Sequence, residues 1–266
     1  MPLSQWIYPR SDPDGTRMLQ KELGLPAVVA GILAGRGVTG REAALLLGPQ
    51  PLDDPMALPD MEKAVARIEK AIEDGEHIAV YGDYDCDGVT ATAILYSYLQ
   101  SMGASVSYYI PDRLDEGFGM NMGAVDTLAK RGVKLIITVD NGTAALPEID
   151  YASSLGIDVV VTDHHQPGDR LPDCAAVVNP HRREYEGFKQ LCGAGVAPKL
   201  CAALEGGSYE TVLEDFAPLA AIGTIGDVVP LVSENRTIVE EGLRLLPMAG
   251  LPGLHALLTP AGLGEG

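Results

Sequence analysis

The chain has 266 residues, 46% of them hydrophobic, with 37 acidic side chains against 19 basic ones and a formal net charge of −18. That content suits a folded protein with room for one large α/β domain and a smaller helical extension, and no run approaches the roughly 20 apolar residues that would span a bilayer. The charge argues against a surface that neutralises nucleic-acid phosphates along its length. Either the ligand is small, or a metal carries the local positive charge and another module supplies the groove.

The first residues, MPLSQWIYPRSDPDG, lack a basic segment followed by an apolar core, so no secretory signal is expected and the cytoplasm is the default compartment. From about residue 14 to 75 the pattern is helical. Thr39 and Glu42 have capping-box spacing, and Gly48 closes the apolar run that follows. A proline-rich hinge, GPQPLDDPMALPD, precedes a helix on which Met61, Ala64, Ile68 and Ile72 share one face.

From His77 short apolar runs alternate with helical stretches. The runs are 77–82, 105–110, 134–140, 158–163 and 175–179, and helices are predicted near 89–102, 121–131 and 144–155. Runs this apolar imply an α/β fold, a mostly parallel sheet with helices on both faces. Beyond residue 190 the chain turns helical again. The cysteines Cys86, Cys174, Cys192 and Cys201 match neither C-x-x-C nor a disulfide framework, and are expected as free thiols.

The chemistry collects where such a sheet places its ligands, at the carboxyl ends of strands. The first run ends in Asp83, Asp85 and Asp87 at alternate positions, the third in Asp140-Asn141-Gly142, and the fourth in Asp163-His164-His165. D-x-D-x-D-G also opens calcium loops, but here it follows a strand, leads straight into a helix and lacks a glutamate at the twelfth position. Buried carboxylates clustered this way call for a cation. Oxygen ligands plus imidazole, without thiolate, suit Mn²⁺ or Mg²⁺. The ligand count exceeds what one ion needs, so two ions are expected, bridged by Asp140.

These segments resemble the motifs of the DHH family of phosphoesterases. GDYDCDG is similar to its first motif, VDNG to its second, the triplet Asp163-His164-His165 to its third, and AAIGTIGDVVPL to a fourth that supplies Asp227. Within the family, Trp6, the phrase beginning at Asp60-Met61, LCGAGVAPKL and GTIGDVVPL-x-x-ENR resemble RecJ-type exonucleases over nearly the whole chain. The resemblance implies that Asp85, Asp87, Asp140, His164 and Asp227 ligate two divalent ions, with Asp83 as a further candidate. Tyr81 stands where many members carry a histidine, which leaves that ligand position to water. By the same resemblance His165 and Asp140 are the catalytic residues: His165 faces the scissile phosphate, and Asp163 orients His164 from behind. Arg113, Gly117, Phe118, Gly119 and His181 are expected at the substrate, the arginine on a phosphate and the aromatic ring on a base. Gly193-Ala194-Gly195 before a helix is a candidate phosphate cradle, while His77 and His255 are expected to be structural.

The resemblance further implies 5′-to-3′ hydrolysis of single-stranded DNA in repair and recombination. Residues 1–55 would form a helical arm, 56–235 the phosphoesterase domain, and 236–266 the start of a connecting helix. The DNA would be gripped mainly by C-terminal domains that this chain does not include, leaving the fragment weakly active alone. A monomer is expected, with a single-strand-binding protein or a helicase as partner and no membrane. Two alternatives keep the same site: a phosphodiesterase or pyrophosphatase for small nucleotides, which the charge favours, and a degenerate scaffold.

Overall fold

The computed structural model describes residues 12–48, 50–260 and 262; Trp6 and the last residues of the expected connecting segment lie outside them. Two compact units divide the chain, residues 1–50 and 51–266. In the first, α1 (Pro13–Leu23), α2 (Ala27–Gly35) and α3 (Gly40–Leu47) enclose a small core of Leu19, Ala30, Leu33, Ala34 and Ala43. The capping box at the start of α3 is formed: Thr39 Oγ1 accepts from Glu42 N, and Thr39 N donates to the Glu42 carboxylate at 2.8 Å.

The second unit holds a five-stranded, all-parallel sheet in the order β2-β1-β3-β4-β5. The strands are β1 (His77–Tyr81), β2 (Val106–Tyr109), β3 (Val133–Val139), β4 (Asp158–Thr162) and β5 (Ala176–Val178). Alternation sorts their side chains between two cores. Ile78, Val80, Ile137 and Val160 pack on one face with α4 (Met61–Glu73), α5 (Cys86–Ser101), α8 (Gly193–Leu204) and α9 (Glu210–Gly226). Ala79, Tyr81, Ile136 and Val161 pack on the other with α6 (Met122–Lys130) and α7 (Leu146–Ser154). α10 (Ser233–Leu245) lies along α9, and α11 (Pro252–Leu258) ends the described helices. No helix among the described residues is long and apolar enough to cross a membrane.

Asp53 ties the start of the second unit to the rest of it. Its carboxylate accepts from Tyr185 Oη at 3.2 Å and Phe188 N at 2.9 Å, and its carbonyl accepts from Tyr209 Oη at 2.8 Å and Lys199 Nζ at 3.2 Å. These bonds fasten the hinge to the larger unit. Lys199 in turn meets Glu234 at 2.6 Å, both fully buried. At the β5 edge of the sheet, Val177 donates to Asp60 Oδ2 at 3.4 Å while its carbonyl accepts from Arg182 Nη1 at 2.7 Å. Arg182 and Asp60 pair at 2.5 Å, so two side chains take the place of a sixth strand and cover that part of the β5 edge.

In this strand order the chain leaves β1 toward one side and β3 toward the other, and the crevice at that switch point lies at their carboxyl ends. Asp83, Asp85 and Asp87 follow β1 there, and Asp140 follows β3.

Candidate metal centre

A different local device sets each carboxylate. Asp85 is the N-cap of α5 and accepts from Gly88 N at 2.9 Å. Asp87, in the first turn of that helix, is buried; its Oδ2 accepts from Gly193 N at 2.6 Å and its Oδ1 from Ala194 N at 2.7 Å, at the N-terminus of α8. Asp140 adopts φ 61°, a left-handed conformation that aspartate tolerates better than most residues and that turns the chain sharply off β3. Next to it Asn141 Nδ2 donates to Val139 O at 2.9 Å and Tyr81 O at 3.3 Å, tying the ends of β3 and β1 together. Asp227 is the C-cap of α9.

His164, just past β4, gathers three of these. Its Nε2 lies 3.0 Å from Asp140 Oδ1, 3.6 Å from Asp87 Oδ2 and 3.9 Å from Asp227 Oδ2. Asp140 Oδ1 is nevertheless buried with no hydrogen bond, so the imidazole faces it at short range without the geometry of a donor. Two groups, Asp140-His164-His165 and Asp87-His164-Asp227, each bring one ligand atom per residue within 4.8 Å of the others. Burial, then the Asp87 and Asp85 charges, push the Asp140 carboxyl up to about 10, and burial raises Asp227 as well. A cation between these oxygens removes that cost. The residues therefore fit a divalent ion, and oxygen with imidazole nitrogen is the donor chemistry of manganese and magnesium.

His165 sits at the open side of the cluster. Asp163 Oδ1 accepts from its Nδ1 at 2.8 Å and from the backbone N–H of His164 and His165 at 2.7 and 3.1 Å, and Asp163 Oδ2 accepts from Thr143 N at 2.9 Å. Burial would raise the Asp163 carboxyl, but these bonds, led by the one from His165, hold it below the usual range. The same bond raises His165. The expectation that Asp163 orients the His164 ring is corrected: it clamps the ring of His165, and reaches His164 only through the backbone.

Residues 77–224 match the family model described as "DHH family, N-terminal domain". The chain belongs to the DHH family. It is 44% identical over 263 residues to the single-stranded-DNA-specific exonuclease RecJ of Bacillus subtilis, covering 97% of this chain and 33% of that protein. Among solved structures, RecJ from Thermus thermophilus in complex with Mn²⁺ superposes with a TM-score of 0.77 at 35% identity, over 95% of this chain and 37% of that one. The Mg²⁺ complex superposes with a TM-score of 0.66 at 32% identity, over 95% and 33%. The chain thus spans about a third of the length of these relatives.

Of the remaining residues of the DHH motifs, Asp85 and Asp83 stand outside both ligand groups. Asp85 is exposed and close enough for its charge to bear on Asp140 and Asp227. Asp83 is buried: its Oδ1 accepts from Tyr84 N at 2.6 Å, its Oδ2 accepts no hydrogen bond, and burial raises its pKa. Tyr81, at the position of the family's histidine, points its ring into the core, stacks on Tyr109 at 5.3 Å and donates to Gly119 O at 3.2 Å. It thereby supports the loop that carries Phe118. Gly117 and Gly119 adopt φ 79° and 77°, and between them Phe118 is 58% exposed with its ring edge-on to His165 at 5.6 Å. A cavity of about 300 Å³ opens beside that pair, bounded also by Met120, Thr143, Glu148 and Gln166.

Arg113 is exposed, its guanidinium 5.3 Å from the Tyr84 ring centroid. His181 Nδ1 meets Gln166 Nε2 at 2.8 Å. His77 serves the fold, contacting Ser107 Oγ at 2.9 Å and Arg131 O at 3.2 Å. The Gly193-Ala194-Gly195 segment is a second correction: its two amides are taken by the Asp87 carboxylate, because the side chain of an N-terminal ligand fills the space a phosphate would need. The roles of Gly193, Ala194, Thr143 and Tyr81 escaped the sequence. Only the glycines before a helix gave any signal.

Proposed function

We propose that this chain carries the chemical half of a RecJ-type exonuclease, a two-metal hydrolase that cleaves phosphodiesters of single-stranded DNA from the 5′ end. The observation that carries the reading is the convergence of Asp87, Asp140 and Asp227 on His164 Nε2 around a buried carboxylate oxygen with no donor. Asp85, Asp87, Asp140, His164 and Asp227 would hold the ions, which would supply positive charge for hydrolysis of a phosphodiester.

The chain's own residues do the rest. Asp163 holds His165 through Nδ1, which leaves Nε2 for the phosphate, where a ring whose pKa that bond raises can stabilise charge or pass a proton to the leaving oxygen. Phe118 offers an aromatic face beside it for a base, and the adjacent cavity gives a nucleoside-sized space. Arg113, over the Tyr84 ring, and His181, against Gln166, are candidates for neighbouring phosphates. The net charge of −18 fits a half that holds metal while other domains grip DNA, so weak action alone belongs to the reading, as do a monomeric state, a cytoplasmic setting and delivery by a single-strand-binding protein or helicase.

Cleavage of a 5′-labelled single strand with Mn²⁺, compared with that of di- and trinucleotides, tests the substrate class. Mononucleotide release from the strand, lost in Asp140→Ala, is expected. Turnover of short nucleotides alone would move the reading to a small-substrate phosphodiesterase, and full activity in Asp140→Ala would sink the metal assignment.

A further inference from the structure

The LCGAGVAPKL segment is one of the chain's most distinctive phrases, and the chemistry above does not use it. It lies 106 residues from Asp87, yet Gly193 N and Ala194 N both donate to that carboxylate, at 2.6 and 2.7 Å. We propose that the N-terminus of α8 is a cradle that sets Asp87 before any ion binds, and that Gly193 and Gly223 are positioning residues of the metal centre. The inference rests on the metal reading above.

Three facts support it. Each Asp87 oxygen takes one amide, so the carboxylate is fixed in plane and rotation, and the positive end of the α8 dipole lies against its charge. Oδ2 keeps a free direction toward His164 Nε2, 3.6 Å away. Finally, the space is closed to any side chain at two glycines. A Cβ on Gly193 would lie 2.6 Å from Asp140 Cβ and 3.0 Å from Asp87 Oδ2; one on Gly223 would meet Thr90 Oγ1 and Ala194 Cβ and lie 3.0 Å from Asp87 Oδ1. Gly193 has no positive φ to explain it. Its missing side chain is required by the close approach of α8 to Asp87 and Asp140, which follow different strands.

Carbon atoms pack at about 3.5–4.0 Å, so an alanine at 193 must part Asp140 from α8 by about 1 Å. Metal ligands tolerate errors of about 0.2 Å, and loss of supporting bonds behind a ligand typically costs about 10–100-fold in affinity. Gly195 supplies the control. It lies two residues along the same buried helix, but the three atoms nearest to its Cβ would all belong to the Leu191 side chain, the first at 3.1 Å.

The test is calorimetric titration of the purified chain with Mn²⁺, alongside NMR amide exchange in the metal-free protein. Gly193→Ala should lose about 10–100-fold in Mn²⁺ affinity with a native circular-dichroism spectrum, while Gly195→Ala stays within about threefold of the parent. Parent-like affinity in a folded Gly193→Ala overturns the inference. Should that variant not fold, exchange decides: the Gly193 and Ala194 amides should exchange slowly in the metal-free parent and at least tenfold faster in Asp87→Ala. Equal rates in the two overturn the cradle. If the parent takes up no Mn²⁺, the metal reading falls, and the exchange comparison still decides the cradle.

Discussion

Replacing Asp163 by asparagine isolates the clamp on His165 without changing side-chain volume. The carboxylate receives four donors, three on Oδ1 and Thr143 N on Oδ2 at 2.9 Å. An amide can keep the three only by turning its own NH₂ toward Thr143 N, which leaves a buried donor unsatisfied at a cost of about 1–3 kcal/mol. Loss of the charge opposite the His165 ring adds roughly 1 kcal/mol, kept small because that ring is half exposed. A total of about 2–4 kcal/mol corresponds to roughly 4–16 °C in Tm for a unit of this size. The sign with pH follows from the two shifts. Asp163 is lowered, so its contribution is present above the ordinary aspartate pKa of about 3.9 and fades as pH falls through the folded value. His165 is raised, so its contribution is complete below about 6.5 and is lost as pH rises through the folded value. Differential scanning calorimetry with a chelator present, from pH 3 to 9, should therefore show the parent-to-variant gap widest between about pH 4 and 6.5. A gap under about 1 °C at pH 5.5, or one that grows toward pH 3, would refute the clamp.

Asp140→Asn should raise the Tm of the metal-free protein at neutral pH, because it removes a carboxyl whose ionisation burial and the neighbouring carboxylates oppose while keeping a residue at home at φ 61°, and should abolish the gain in Tm that Mn²⁺ gives the parent. A lower metal-free Tm would contradict it. Lys199→Met strands Glu234 in the core and should cost about 3–5 kcal/mol in urea unfolding, most of it recovered in Lys199→Met/Glu234→Leu. A double variant no better than the single would show that the bonds of Lys199 to Asp53 and Tyr209 carry the effect. Val228 holds φ 59° while 84% exposed, so Val228→Gly should stabilise by about 1 kcal/mol net of glycine's entropy, and a fall in Tm would contradict the strain.

The sheet was legible because most strands are apolar runs that lead into a polar residue, β2 being the exception, followed by Ile110 and Pro111. The five predicted runs match β1–β5 to within a residue or two, and the Thr39–Glu42 box marked α3 through contacts three residues apart. The three strand-end clusters were legible for the same reason: a buried parallel strand that stops on a carboxylate advertises the end where chemistry sits. What the sequence hid depends on partners far along the chain. The ring that Asp163 holds is set by how the backbone turns after Thr162, and neither choice changes the spacing of the triplet. The cradle for Asp87 needs α8 brought to the end of β1 across 106 residues. Tyr81 and Asp83 are two residues apart in the first motif, yet one stacks in the core and the other lies beneath α5, because strand alternation breaks at Gly82. Asp53, between the prolines at 51 and 55, is bound through its carbonyl as well as its carboxylate by partners more than 130 residues away, which local spacing does not show.

The central claim is that Asp87, Asp140, His164 and Asp227 form one divalent-metal centre. Crystals grown with Mn²⁺ and measured at the manganese absorption edge test it most directly. Anomalous peaks should appear within about 2.5 Å of His164 Nε2 and of oxygens of Asp140, Asp87 and Asp227, and should vanish in Asp140→Asn. A fully Mn²⁺-soaked crystal with no peak among these atoms, or with peaks only elsewhere, would contradict it.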